Sequence, residues 1–381
     1  MTEITIAPYG EWVSPITPDL LTATGVALRG VVVEGADVYW TEGRPLEGGR
    51  QVIVQRTPDG ATVDRTPSPF NARTRVHEYG GAAYCVDRGT IYFSNFADQR
   101  VCRQIPGGEP LPLTPAVDLR YADAVVDRAR RRLIGIREDH RDTTREAVNT
   151  IVALDVDEGG EGQVLVSGND FYANPRLSPD GHRLAWLTWN HPNMPWDGCE
   201  LWVAPVAEDG SLGPSELVAG GIDESICQPE WGPEGALYFI SDRNGWWNLY
   251  RWRGGPTVEP FLQVEADLGV PAWVFGTSTY AVVDNRSIAC TYVANGIRRL
   301  TLVDCASGVP VPIEMSYSVI DSLRAGPGCL VFIGSSPTTS AEVVVLDLAT
   351  RKTEVLRRSR GDVVEPRYLS APVEIEFATE G

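Results

Sequence analysis

The sequence predicts an all-β chain folded as a seven-bladed β-propeller of four-stranded antiparallel blades. Seven apolar strand starts each follow a tight turn: VYW at Val38, IYF at Ile91, LIG at Leu133, LAW at Leu184, LYF at Leu237, IAC at Ile288 and LVF at Leu330. Their spacings are 53, 42, 51, 53, 51 and 42 residues, periods that mark a repeat architecture. A third strand follows in every unit, and helical periodicity is nearly absent apart from PDLLTATG near the start.

Taken in order, the units fall at 26–67, 77–115, 120–170, 171–221, 224–267, 271–318 and 319–360. Their third strands are RQVIVQR, RVCRQI, NTIVALDV, CELWVAPV, WNLYRW, RRLTLVD and AEVVVLDL, rich in β-branched and aromatic residues. An outer fourth strand is legible in EPLPLTP, SELVAGG and KTEVLRR. Radial repetition of such blades leaves only short, protected sheet edges. The first and last units each carry all four strands, so we expect no strand-exchange latch and a ring closed by blade packing. Residues 1–25 form an N-terminal segment, 26–364 the propeller, and 365–381 a C-terminal linker.

Composition narrows the partners. Lys and Arg number 33 against 51 Asp and Glu, a net charge of −18 that repels nucleic acid and anionic membranes. MTEITIAPYGEW has neither a basic region nor an apolar core, and no run of about 18 apolar residues occurs, so the expected location is cytoplasmic. Seven dispersed cysteines without a CxxC pair argue against a disulfide framework and a structural zinc site.

The two faces of the ring differ. The first-to-second turns, EGA, DRG, DRARR, SPDGH, GPEG, DNR and GPG, are short polar hairpins with nothing to hold a substrate. The second-to-third loops FSNFADQR, IREDHRDTTREAVN, TWNHPNMPWDGCE, ISDRNGWWN and FIGSSPTTSAE are long and rich in Trp, Arg, His, Asp and Asn. Binding concentrates in such loops on one side of a rigid scaffold. RTRVHEYGG, residues 73–81, is the crossover into blade 2 and shares that loaded face.

Within it, Glu78 is either a carboxylate that receives a peptide α-amine or a member of an inter-blade salt network. A sheltered ammonium needs such a carboxylate, because unpaired burial costs several kcal/mol. Arg73, Arg75, Arg137 and Arg141 suit bidentate contacts to a carbonyl or carboxylate, with Tyr79 beside them. His77 has no adjacent nucleophile and the chain has no G-x-S-x-G elbow, so His77 reads as structural and no catalytic residue is assigned. His140 and His191 lie in loaded loops, and His182 in a plain turn. Trp196, Trp246 and Trp247 form either an apolar floor for a substrate or a surface buried by another domain. The Asp, Glu and Asn residues show no metal-ligand spacing, and no cofactor is expected.

RTRVHEYGG, REDHR, the SPDG turn, WNHPNMPWDGCELW and SDRNGWWNLY, in this order, resemble the N-terminal propeller of the prolyl oligopeptidase family of serine peptidases, closest to its dipeptidyl- and acylaminoacyl-peptidase-like branch. The resemblance runs from about residue 10 to the last residue. It implies an α/β-hydrolase domain as partner, carrying a Ser, Asp, His triad that has no matching position here, so this chain alone should be inactive. The tail YLSAPVEIEFATEG resembles the linker and first strand leading into that domain. In related aminopeptidases, propeller glutamates just before an innermost strand hold the substrate amine, and an arginine from a second-to-third loop helps hold a carbonyl. Glu78, before AAYCV, and Arg137 or Arg141 are similarly placed, although the single Glu of HEYGG departs from the paired-glutamate pattern. The implied function is that of a peptidase's non-catalytic propeller, gating entry and contributing contacts to a peptide substrate through Glu78, Arg75, Tyr79, Arg137, Arg141, His191, Trp196 and Trp246. The alternatives are a free-standing propeller that binds a protein or peptide as a scaffold and, more remotely, a metal-dependent propeller hydrolase.

Overall fold

The computed structural model describes residues 6–22, 25–294, 296–361, 364–373, 375 and 377–378. Seven four-stranded antiparallel sheets succeed one another at 27–64, 84–112, 119–166, 171–220, 226–262, 280–313 and 319–358. In every sheet the strands pair in chain order, so no blade borrows a strand from another. The seven-bladed propeller without a latch is therefore the observed fold.

Its core lies between blades. Leu28, Val31, Trp40 and Val52 of blade 1 pack against Val331, Ile333 and Val343 of blade 7, and this cluster closes the ring. Burial of apolar surface at about 25 cal/mol per Å² makes such a seam strong without shared strands. One backbone hydrogen bond, Val26 N–H to the Ser359 carbonyl at 2.8 Å, and the Arg357–Glu42 pair at 2.7 Å reinforce it. Both ends of the ring thus leave it side by side on the loaded face.

Five innermost strands are bent by a residue in the left-handed region, Gly30, Asp123, Asn174, Gln228 and Ser322, and Ala82 takes the same conformation just before the sixth, with φ between 40° and 59°. Non-glycine residues adopt this conformation only where surroundings compensate, and the Asx and Gln side chains do so here. The Asn174 N–H donates to Asp123 Oδ2 at 2.7 Å, and the Thr279 N–H to Gln228 Oε1 at 2.8 Å, tying blade to blade. The Arg176 guanidinium, held by Asp123 at 3.1 Å and Glu230 at 3.4 Å, does the same.

The connections differ from expectation in three places. Blade 7's FIGSSPTTSAE is not a long loop: strands Cys329–Ser336 and Thr339–Asp347 run through it and leave a two-residue turn. Its apolar start pairs across the hairpin, Phe332 opposite Val344 and Ile333 opposite Val343, and its hydroxyl residues reach the tip, with Ser336 opposite Thr339. Blade 2 begins at Tyr84 rather than at residue 77, and blade 6 at Tyr280 rather than at 271. The stretches before them are long crossovers, 65–83 and 263–279. The N-terminal segment contains the short helix Pro18–Thr22, while residues 1–5 and 23–24 lie outside the described residues. The C-terminal segment has a 3₁₀ turn, Pro366–Tyr368, and no strand among the described residues; 374, 376 and 379–381 of the anticipated first hydrolase strand lie outside them. No helix of the described residues is long and apolar enough to cross a membrane.

Candidate functional site

The turn that begins the site is fixed by its own sequence. His77 and Glu78 both take left-handed backbone, with φ of 53° and 62°, and the Gly80 N–H closes back on the Val76 carbonyl at 3.0 Å. A Cβ on Gly80 would stand 2.4 Å from the Thr74 carbonyl oxygen, and one on Gly81 2.3 Å from that of Phe275. Gly80 is needed because the turn closes on its own Thr74, and Gly81 because two crossovers meet there. Gly81 forms a parallel bridge with Phe275, whose N–H donates to the Gly80 carbonyl at 2.9 Å.

This meeting roofs one side of a cavity of about 860 Å³ on the loaded face. Its other walls are the blade 3 loop and strand end (138–149), the crossover into blade 4 (168–174), and Leu187, Trp189, His191, Met194 and Pro195 of blade 4. One wall is aromatic. Phe171 and Trp189 stack at 5.4 Å with 15° between planes, and the His77 ring stands edge-on to both, at 5.2 and 5.6 Å. Phe275 lies 4.7 Å from the same imidazole, and Trp273 and Tyr79 meet at 5.5 Å nearby.

The polar lining is mostly acidic. Glu138, 5% exposed, accepts the His77 backbone N–H at 2.8 Å and faces His140 Nε2 at 2.9 Å. Asp170 accepts both the backbone N–H and the ring Nδ1 of His191, each at 2.9 Å, and these bonds, backbone first, hold its carboxyl below the usual range. Glu78 and Glu146 complete four carboxylates, against Arg145, itself paired with Asp142 at 2.9 Å. Burial holds the His77 imidazole below the ordinary histidine value, although Glu138 and Asn149 pull the other way, so it is neutral at pH 7. A cavity with this balance favours a cation beside an apolar group.

Of the residues expected to contact a substrate, Glu78, Tyr79 and His191 line this cavity, together with His77 and His140. Glu78 pairs with Arg120 of blade 3 at 2.9 Å while its side chain stays 76% exposed. Trp196 stands one ring behind, 4.4 Å from Trp273. The others are elsewhere. Arg75 lies over the Phe96 ring at 4.5 Å. Arg137 belongs to the strand Arg132–Asp139 rather than to a loop, and its guanidinium donates to the carbonyls of Glu161 and Gly162 in the outer strand of its own blade. Arg141 pairs with Asp139 and Glu161 at the rim of blade 3. Trp246 is exposed at the tip of blade 5, and Trp247 packs into the cluster between blades 5 and 6.

Sequence reasoning missed Glu138, Asn149, Phe171, Trp189, Trp273 and Phe275. The run VPAWVFG, 270–276, carried a signal: two aromatics beside a proline and a glycine suit a packed crossover better than an innermost strand. Among the described residues, no serine hydroxyl or cysteine thiol is hydrogen-bonded to a histidine, and no three His, Cys, Asp or Glu side chains converge to hold a metal ion. Burial pushes the thiols of Cys85, Cys102 and Cys199 up to about 12, far from a reactive thiolate.

No family model and no curated protein matches the chain. Among solved structures it is similar to a puromycin-hydrolyzing peptidase of Mycobacterium tuberculosis, at 36% identity and a TM-score of 0.90, over 96% of this chain and 59% of that one. It is similar to a puromycin hydrolase at 33% identity and a TM-score of 0.88, over 96% and 58%. Its likeness to prolyl oligopeptidase B from Galerina marginata, at 12% identity and a TM-score of 0.66 over 90% and 52%, is one of fold alone. The chain spans less than two thirds of the length of each of these proteins.

Proposed function

Because the chain belongs to the prolyl oligopeptidase family, as its β-propeller part, we propose that it is the non-catalytic, substrate-holding portion of a serine peptidase. Its loaded face docks an α/β-hydrolase domain, and its cavity receives the amino-terminal part of a peptide. Residues 26–364 are the propeller unit in this reading, with 1–25 and 365–381 leading toward the hydrolase side. The observation that carries it is the acidic, aromatic-walled cavity on the face from which both ends of the ring depart.

Glu78 holds the peptide α-amine. Its pair with Arg120 is exposed, and exposed pairs contribute about 0–1 kcal/mol. An incoming ammonium therefore joins or displaces Arg120 at little cost, so brace and clamp are successive roles of one carboxylate. The aromatic wall takes the adjoining side chain, and Tyr79 and His191 border the peptide. The ring restricts entry because the two crossovers meet over the channel, leaving the cavity to be reached from the side.

The test joins the chain to its hydrolase partner and measures hydrolysis of aminoacyl arylamides with free and N-acetylated amines. Glu78→Gln should raise KM for the free-amine substrate about fivefold, equivalent to about 1 kcal/mol, and leave the acetylated one unchanged. Equal losses on both substrates would reject the clamp. Absence of cleavage of any peptide by the joined protein would reject the peptidase reading.

A further inference from the structure

The crossover into blade 2 alternates as a strand does before it turns: Ala72, Thr74 and Val76 are buried, and Arg73 and Arg75 between them are exposed. Both guanidinium groups lie over one ring, that of Phe96 in the second-to-third loop of blade 2, at 4.6 and 4.5 Å from its centroid. Their backbone is fixed. The Arg73 N–H donates to the Ser94 carbonyl at 3.0 Å, the Arg75 N–H to Gln99 Oε1 at 2.8 Å, and the Phe96 N–H to the Asn71 carbonyl at 2.8 Å.

Neither side chain meets a carboxylate. On the same face Arg44, Arg50, Arg120, Arg141, Arg145 and Arg243 each pair with one, whereas among the described residues no ion pair or side-chain hydrogen bond holds the Arg73 or Arg75 guanidinium. Asp98 of the Phe96 loop is committed within that loop, accepting from Asn95 Nδ2 at 2.9 Å and from the Arg100 N–H at 3.3 Å. Stacking on a ring leaves the in-plane N–H donors of a guanidinium open, and two like charges on one ring repel until an anion joins them.

This shelf adjoins the amine site. The Glu78 N–H donates to the Arg75 carbonyl at 2.8 Å, which makes Arg75 the first residue and Glu78 the last of one turn. Arg120 stands on that turn, donating to Glu78 at 2.9 Å and to the Arg75 carbonyl at 3.4 Å. An ammonium that takes over Glu78 releases the Arg120 charge beside two that are already uncompensated. A carboxylate following the amine along the peptide restores the balance, and the planar fork of a guanidinium suits it.

We propose that Arg73 and Arg75, stacked on Phe96, form a subsite beside the cavity for an acidic side chain, a Glu or Asp carried one or two residues beyond the free amine of a peptide. This rests on the reading of the cavity as a peptide site and adds to it a preference set outside the cavity. Each residue advances an extended peptide by about 3.3–3.6 Å, and the first and last Cα atoms of a turn lie within about 7 Å, so one or two residues carry the carboxylate across. With 51 acidic against 33 basic residues the chain as a whole repels an acidic peptide, so an attraction is local to this shelf.

The test is isothermal titration of the 381-residue chain with the amides of Phe-Glu, Phe-Gln, Phe-Ala-Glu and Phe-Ala-Gln. In at least one pair the Glu peptide should bind about fivefold more tightly than its Gln counterpart, and the ratio should fall toward one between about 0.05 M and about 0.5 M salt, as screening weakens exposed charges. Arg73→Gln and Arg75→Gln, both at exposed positions, should each reduce the ratio, and the double variant should bring it to one. Arg75→Lys should retain part of it, since the charge stays while the planar fork is lost. A ratio that survives in the double variant would overturn the subsite. Equal binding of the Glu and Gln peptides in both pairs would also overturn it, leaving the peptide reading standing and the two guanidinium groups to a carboxylate of the docked hydrolase domain. Failure of every amide to bind would overturn both.

Discussion

Blade 7 passes from its second to its third strand through Pro337 and Thr338 alone, whereas blade 3 makes the same connection through residues 140–147. The blades are otherwise built alike, each with four antiparallel strands and an apolar cluster shared with its neighbour. The blade 7 to blade 1 side keeps the ring closed, and the blade 2 to blade 5 side, with the two long crossovers, shapes the cavity. Stability and binding are therefore carried by different parts of one repeat. The strands contribute only where they end on the loaded face, with Glu138, Asn149, Phe171 and Trp189, since most of their other side chains are consumed in packing between blades. The connections supply the rest because their backbone is released from the ladder.

That division can be broken first at the seam. Trp40 is fully buried where blades 1 and 7 meet, and Trp40→Ala should cost about 3–5 kcal/mol in chemical denaturation. Peptide affinity of the protein that remains folded should be unchanged. A matching loss of affinity would mean that seam and cavity are coupled. A smaller effect is expected from Gly81→Ala, where the new Cβ meets the Phe275 backbone and φ is 98°. It should cost roughly 1–3 kcal/mol and also weaken amide binding, because the Trp273 and Phe275 wall must shift. Gly181→Ala on the plain face is the control: φ is 74° but the nearest heavy atom is 3.8 Å away, so stability alone should fall and binding should hold.

The smallest effect is one of pH. Burial holds the folded-state pKa of His77 below its unfolded value of about 6.5. As pH falls through that unfolded value, the unfolded chain takes up the proton first, so the stability this group contributes is present above it and is lost toward the lower folded value. Denaturation at pH 7.5 and pH 5 should therefore show a larger loss for the native chain than for His77→Phe. Equal losses would place the acid sensitivity in other groups.

The sequence reveals these regions unequally. The repeat was plain because turn chemistry recurs at every hairpin tip, from EGA at residue 34 to GPG at residue 326. The turn at HEYGG was legible as a feature, but what Gly81 avoids, the Phe275 backbone, lies 194 positions away in the chain. Arg75 and Arg141 drew attention as charges, yet their partners, Phe96 for one and Asp139 and Glu161 for the other, keep them outside the cavity. Glu138 went unnoticed because it ends a strand whose other residues read as core. Charge alone does not distinguish a binding residue from a brace; its position relative to the crossovers does.

The most direct test is hydrogen–deuterium exchange on the 381-residue chain with and without a saturating short peptide bearing a free amine. Protection should appear at 77–80, 138–149, 168–174 and 272–275, with none at the hairpin tips of the plain face or at the blade 7 turn. Protection confined to the plain face, or none on the loaded face at saturation, would contradict the assignment of peptide binding to this cavity.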